Sequence, residues 1–209
     1  MKRVALYVFT IMLLVCMAAS ATETNFDGKL GGAYSSYPEM PGFDISADYQ
    51  WVLDPYFSAG FETGLFWVQW EQQRGEALVG QSRSDLKATT NAYVIPMLAI
   101  AQVRLPNLKE KFMVLPYMTV GLGFSVMPLT YSDPAYDNAG IHHDAQDKFY
   151  FHKGFTWKLA VGAAYTPSGS NLAFIGETGY VGSHLYSGNN DIDMSRVFID
   201  LGVRFTFGR

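Results

Sequence analysis

The chain has 209 residues, of which 49% are hydrophobic and 16% charged, and its formal net charge is −4. This acidic balance argues against a nucleic-acid partner, and the length suits one domain of ordinary size. The single cysteine, Cys16, excludes a disulfide framework within the chain. A lipoprotein signal needs a small residue before its cysteine, whereas Val15 is bulky, so lipidation of Cys16 is the less favoured alternative.

Residues 1–21 have the features of a cleaved secretory signal peptide. Lys2 and Arg3 form a short cationic head, residues 4–15 are almost uninterrupted apolar sequence, and Ala19-Ser20-Ala21 matches a small-x-small cleavage site. The apolar stretch is shorter than the ~20 residues that a membrane-spanning helix needs. We therefore expect an exported protein whose mature domain covers residues 22–209 and carries a net charge of about −6.

Eight segments of the mature chain alternate between apolar and polar residues with the period of two that is typical of a strand with two different faces. The clearest covers residues 43–51, where Ile45, Ala47 and Tyr49 oppose Ser46 and Asp48. In chain order, we predict strands over residues 25–37, 43–51, 57–67, 87–105, 117–126, 156–165, 172–181 and 197–207. The pattern leaves open which face of the fourth strand is apolar around Pro96.

The polar faces are rich in Gly, Ser, Ala and Thr, which suits the cramped interior of an eight-stranded barrel better than the apolar interior of a lipocalin. Aromatic residues lie near the strand ends, as expected at the two surfaces of a membrane. They are Tyr49, Trp51, Tyr56, Phe57, Trp67, Trp70, Tyr165, Tyr180 and Phe207. Short links alternate with longer polar ones over 71–85, 128–152 and 182–191. The sequence thus predicts an all-β fold, an eight-stranded antiparallel up-and-down transmembrane β-barrel.

Three segments resemble strands of small outer-membrane barrels of the OmpA and OmpW type. Residues 116–124, PYMTVGLGF, are similar to their PYxxxGxGx strand, and residues 155–163 resemble the strand that follows. Residues 197–207 resemble their terminal assembly signal. The resemblance implies a location in the outer membrane, with membrane lipid and the outer-membrane assembly machinery as partners. It also implies a porin-like or OmpW-like role, in which small or apolar solutes pass. A non-conducting surface barrel acting in adhesion or membrane integrity is the alternative.

Charged residues on the polar faces are the candidate site. In a narrow barrel they would be partly dehydrated, so we expect them to pair as a plug that seals the lumen or a gate that opens it. The predicted network is Glu62, Lys158, Glu177, Asp200 and Arg204, with Asp44 and Asp48 nearer one end.

Two chemical alternatives are weaker. His142-His143-Asp144 with Asp147 offers imidazole and carboxylate groups, but the spacing matches no defined metal site, and we expect no metal or other cofactor. A lipid A-modifying barrel enzyme would use a histidine, a serine and a carboxylate. His184, Ser187 and Asp191 are close in sequence, but residues three apart on a strand face opposite sides, so we expect no enzyme.

Aromatic residues also accumulate in the predicted loop over 128–152. They are Tyr131, Tyr136, Phe149, Tyr150 and Phe151. Exposed aromatic side chains suit contact with a partner or with lipid headgroups. Binding of an extracellular ligand is one of these two alternatives, and the sequence identifies no ligand.

Overall fold

A computed structural model describes residues 23–73, 87–138, 141–188 and 190–208. The predicted signal peptide over residues 1–21 lies outside these ranges. Among the described residues, no helix is both long and apolar enough to cross a membrane.

Strands make up most of the described chain. In chain order the elements are β1 (Glu23–Ser35), β2 (Pro41–Val52), β3 (Phe57–Gln73), β4 (Lys87–Arg104), α1 (Pro106–Phe112), β5 (Leu115–Asp133), β6 (Tyr136–Asn138), β7 (Ile141–His143), β8 (Gln146–Tyr165), β9 (Leu172–Ser187), β10 (Asn190–Asp193) and β11 (Arg196–Gly208). The predicted link before β5 contains the short helix α1, which begins at Pro106, where the missing N–H has no helical partner to lose.

Eight of these strands form an antiparallel ring in the order β1-β2-β3-β4-β5-β8-β9-β11. The ring is closed by the pairing of β11 with β1. This confirms the predicted eight-stranded antiparallel barrel. β10 adds to β9 as a hairpin, and β6 and β7 pair with each other outside the ring. Closure matters because an open sheet edge in lipid would leave backbone N–H and C=O groups without partners.

Alternate residues of each strand face the lumen and the outside. In β11, Ile199 and Leu201 are 66% and 69% exposed on the outer face, whereas Asp200 and Arg204 are 2% and 3% exposed inside. Exposed apolar residues all round the outer face are typical of a lipid-facing surface. Pro96 of β4 faces the lumen, which settles the face that the sequence left open.

The barrel wall is taller on one side. β5 and β8 have 19 and 20 residues, whereas β1, β2 and β11 have 12 or 13. The predicted loop over 128–152 is therefore largely strand, because β5 continues to Asp133 and β8 begins at Gln146. Tyr131, Phe149, Tyr150 and Phe151 of that segment stand on this wall at the end of the barrel away from the chain termini, whereas Tyr136 lies in β6, outside the ring.

The lumen is layered. Its middle and the half near the chain termini contain polar and charged side chains, as the sequence predicts. The other half is mainly apolar and also contains the hydrogen-bonded hydroxyls of Ser125, Thr156 and Ser183. Its apolar cluster is formed by Phe66, Val68, Trp70, Met127, Leu129, Leu185, Met194 and Phe198. We call these residues the apolar layer. Trp70 was predicted on the outer aromatic girdle, and that prediction is wrong: the side chain lies inside the lumen and is 7% exposed. β3 continues to Gln73 in phase with Glu62, so Trp70 faces inward.

Candidate functional site

A cluster of ion pairs crosses the middle of the lumen. Lys158 Nζ lies 2.8 Å from both carboxylate oxygens of Glu62 and 2.7 Å from Glu177 Oε1. Lys29 Nζ lies 3.0 Å from Asp48 Oδ2, 3.1 Å from Glu62 Oε2 and 3.2 Å from Glu177 Oε1. Both glutamates therefore bridge the two lysines. We call Lys29, Asp48, Glu62, Lys158 and Glu177 the central cluster.

Strand register brings these side chains to one level. β1, β2, β3, β8 and β9 each contribute one residue, and Asp48 lies directly opposite Glu62 in the β2–β3 ladder. On β5, Gly121 lies opposite Lys158. A Cβ atom at position 121 would lie 3.3 Å from the Cβ of Lys158, which is tighter than nearly all real contacts. The glycine thus leaves the space that the lysine side chain needs to reach across the lumen.

The central cluster is buried from solvent. Its side chains are between 1% and 5% exposed, and it contains two lysines and three carboxylates. The excess negative charge is offset by a hydrogen bond that the Gln50 amide donates to Asp48 over 2.6 Å. Buried ions are tolerated when each has a close partner and further hydrogen bonds. Every member of the cluster has at least one close partner of opposite charge.

Arg204 belongs to a second, separate ion pair nearer the chain termini. Its Nε and Nη2 atoms donate to the two carboxylate oxygens of Asp27 over 2.7 and 2.6 Å, and Nη2 also contacts the Gln102 side-chain oxygen at 3.3 Å. The guanidinium lies 5.2 Å from the ring centre of Tyr117. This bidentate geometry is among the strongest that an arginine and a carboxylate can form.

A third group lies between the central cluster and the apolar layer. Arg196 Nε donates to Asp44 Oδ2 over 3.0 Å, and its guanidinium lies 4.7 Å from the ring centre of Phe66. Asp200 is 2% exposed, and its Oδ1 has no hydrogen-bond partner within the described part of the chain. The space beside these residues amounts to about 10 Å³. That is about the volume of a single water molecule and far below that of a solute.

The structure therefore brings together three of the five predicted residues, Glu62, Lys158 and Glu177. Arg204 pairs instead with Asp27, and Asp200 forms no ion pair with the cluster over the described ranges. The sequence analysis missed Lys29 and Asp27 of β1 and Arg196 of β11. A signal was present in β1, because Asn25, Asp27 and Lys29 alternate with apolar Phe26 and Leu30.

The structure describes all the residues of the enzyme and metal alternatives, and it brings His184 near Asp191. His184 and Ser187 lie three residues apart in β9, and the exposed His184 has its Nε2 3.8 Å from Asp191 Oδ2. His142 Nε2 lies 3.5 Å from Asp144 Oδ1, and both side chains are exposed. Over the described ranges, no group of three or more His, Cys, Asp and Glu residues is placed to hold a metal ion.

The comparisons with known proteins agree with this architecture. The family model described as outer membrane protein beta-barrel domain matches residues 7–207. The chain belongs to this family. The outer-membrane barrel is similar in fold to Neisserial surface protein A, with 15% identity, a TM-score of 0.51, and coverage of 88% of this chain and 96% of that one. It is also similar to a major outer membrane protein from Thermus thermophilus, with 15% identity, a TM-score of 0.53, and coverage of 88% and 99%. No curated protein sequence matches the chain.

The lipid-facing surface of this outer-membrane barrel carries the predicted aromatic residues other than Trp70. Tyr49, Trp67 and Tyr180 are 38% to 41% exposed on the outer face. Trp51 lies edge-on to both Tyr49 and Phe61, with ring centres 5.5 and 5.8 Å apart. Such rings fit the boundary between hydrocarbon and headgroups, so the barrel lies in the lipid of the outer membrane.

Proposed function

We propose that the protein is a sealed, non-conducting barrel that holds a recognition surface at the outer face of the membrane. The central cluster carries this proposal, because its ion pairs connect five of the eight wall strands across the lumen. A water-filled path would have to separate Lys158 from Glu62 and Glu177. Removing one partner from a buried ion pair costs roughly 3–5 kcal/mol, which makes opening unfavourable. This favours the surface role in adhesion or membrane integrity over the passage of solutes.

The apolar layer supports the same proposal. Phe66, Met127, Leu185 and Met194 are 0% exposed and lie on the outer side of the central cluster. An ion that enters the lumen would first lose its water shell against apolar side chains and then meet a closed ion-pair cluster. An interior of this size is filled by side chains rather than by a channel.

The test is the conductance of refolded full-length protein in a planar lipid bilayer, with heat-modifiable gel mobility as the control for folding. We expect no discrete current steps from the folded wild-type protein. A Phe66→Ala, Lys158→Ala double variant, which opens both the apolar layer and the central cluster, should produce steps if it folds. Discrete steps from the folded wild type would overturn the proposal and restore the porin-like role.

We also propose two features of biogenesis. Removal of residues 1–21 would make Thr22 the first residue, and the intact mass of the protein purified from membranes tests this. β11 closes the ring against β1, and its last aromatic residue, Phe207, is 58% exposed on the outer face. Recognition of this strand by the assembly machinery predicts less folded protein in the outer membrane for Phe207→Ala. An unchanged amount would contradict that role.

The non-enzymatic role is likewise a proposal. It is supported by the position of Ser187 three residues after His184 in β9, which places the hydroxyl and that base on opposite faces of the strand. Lipid A that is processed equally in cells with the wild-type protein and with Ser187→Ala is the expected result. Processing that depends on Ser187 would refute it.

A further inference from the structure

The outer end of the barrel contains a cup with a volume of about 580 Å³, which is within the range of small-molecule sites. Its wall is the inner face of the tall side of the barrel, and its floor is the top of the apolar layer, including Trp70 and Leu129. Tyr37 and Asp191 line the opposite side. Around the wall stand Gln72, Thr90, Tyr131, Lys148, Tyr150 and His152.

His152 marks the cup as a built site. The side chain is 3% exposed and lines the cup from β8, yet its Nδ1 has no hydrogen-bond partner in the described part of the chain. A buried polar atom without a partner costs free energy, so such atoms are rare and call for an explanation. A rotation of the ring that turns Nδ1 toward the cup would let a ligand hydroxyl supply the missing partner.

Aromatic rings dominate the rest of the wall. Tyr37, Trp70, Tyr131 and Tyr150 all line the cup, and Tyr37 lies edge-on to Trp70 with ring centres 5.9 Å apart. Tyrosine and tryptophan present a flat apolar face together with one polar group. Between the rings, Gln72 and Thr90 can both donate and accept hydrogen bonds. The cup therefore suits a ligand that alternates apolar faces with hydroxyl groups.

The two charged residues of the lining are of opposite sign. Lys148 and Asp191 contribute one cation and one anion to the lining. A cationic ligand would meet Lys148 and an anionic ligand would meet Asp191, so neither is favoured over a neutral one. A purely apolar ligand would cover Gln72 and Thr90 without offering their polar groups a hydrogen-bond partner.

We propose that this cup binds a neutral carbohydrate unit, with the rings packed against its C–H faces and Gln72, Thr90 and His152 bonded to its hydroxyls. This carbohydrate site rests on the proposed function. Because the lumen below the cup is sealed, a ligand binds in the cup and does not pass through the barrel. Two sources supply the same chemistry: the saccharide part of neighbouring membrane glycolipids, and glycans of another cell.

The test is saturation-transfer NMR on full-length protein in lipid nanodiscs, with glucose, N-acetylglucosamine and maltose as probes, and citrate and choline as anionic and cationic comparisons. We expect transfer to at least one sugar and none to citrate or choline. Tyr150→Ala should weaken sugar binding by about tenfold, which corresponds to the upper end of one aromatic contact. Thr90→Val, which keeps the side-chain volume but removes the hydroxyl, should also weaken it.

Phe151→Ala is the matched control, because Phe151 is the next residue of β8 and lies on the outer face, 50% exposed. It should bind sugar as the wild type does. Delipidated core oligosaccharide of the host bacterium and glycans from mammalian cells, used as competitors, identify the source, and displacement by either supports the proposal.

The proposal is overturned if the folded wild type binds none of the sugars, if it prefers citrate or choline, or if Tyr150→Ala and Phe151→Ala weaken binding equally. The conductance measurement distinguishes failure of the carbohydrate proposal from failure of the proposed sealed barrel. A silent bilayer without sugar binding would leave the sealed barrel standing and remove the carbohydrate site. Current steps from a protein that still binds sugar would refute the sealed barrel and leave the carbohydrate site.

Discussion

Replacing Lys158 with alanine should destabilise the barrel more than the loss of an exposed lysine on the same strand. Lys158 makes close contacts with Glu62 and Glu177 at 2.7 to 2.8 Å, and its side chain is 2% exposed. Its loss takes the formal charge of the central cluster from −1 to −2 and leaves Lys29 to balance three carboxylates. Breaking one buried pair costs about 3–5 kcal/mol, and we expect a loss of this size.

The measurement is urea-induced unfolding of the protein in lipid vesicles, followed by tryptophan fluorescence and by heat-modifiable gel mobility. Lys153→Ala is the matched control, because Lys153 lies five residues earlier on the same strand and is exposed on the outer face. Its loss should change the free energy of unfolding by less than about 0.5 kcal/mol. The double variant Glu62→Gln, Lys158→Met removes one charge of each sign and should recover part of the loss.

Equal stability of Lys158→Ala and Lys153→Ala would contradict the importance of the buried ion pairs. A double variant no more stable than Lys158→Ala would also contradict it, because the cost of the single change would then not come from uncompensated carboxylates. A large loss in Lys158→Ala together with recovery in the double variant would establish the central cluster as a coupled unit.

Three further predictions address other parts of the barrel. Asp27→Asn removes the carboxylate that Arg204 holds in bidentate contact, and should lower the free energy of unfolding by about 3 kcal/mol in the same assay; an unchanged value would contradict the pairing. Gly60→Ala places a Cβ against the backbone carbonyl of Tyr49, so we expect little heat-modifiable protein after refolding, and normal yields would contradict this. Leu201→Arg puts a charge on the lipid face at a residue that is 69% exposed, and should cost about 2–4 kcal/mol if it lies near the bilayer midplane; no measurable cost would place Leu201 outside the hydrocarbon.

Much of the barrel is predictable from the sequence because one physical rule, alternation between lipid and lumen, governs most strands. In β2, the apolar residues at 43, 45 and 49 are exposed outside, and Asp44, Ser46, Asp48 and Gln50 are buried inside, as predicted. β3 departs from the rule beyond Gly64, where Phe66, Val68 and Trp70 are apolar although they face the lumen. Alternation cannot show which of two apolar faces is inside, and for this reason the apolar layer and the position of Trp70 were missed.

The candidate site was predicted only in part, because pairing depends on height in the barrel as well as on facing inward. Glu62, Lys158 and Glu177 lie at one level and meet. Arg204 faces the same lumen but lies nearer the termini, where Asp27 on the neighbouring strand is its partner. Height depends on strand register around the whole ring, which no single segment of sequence contains. The predicted loop over 128–152 was also misleading, since β5 and β8 continue into it. Most of the predicted loop over 71–85 lies outside the described residues.

Because the wall is of unequal height, the outer end of the barrel is not equally accessible from all sides. β5 and β8 are six to eight residues longer than β1, β2 and β11, a difference of about 20 Å measured along a strand. The outer end of the barrel is therefore shielded on the side of β5 and β8 and accessible on the side of β1, β2 and β11. A molecule that lies flat against the neighbouring lipid can approach over the short strands by moving parallel to the membrane. A molecule that arrives from the opposite side meets the outer face of β5 and β8. The orientation of the barrel around its own axis then decides which neighbours it can meet.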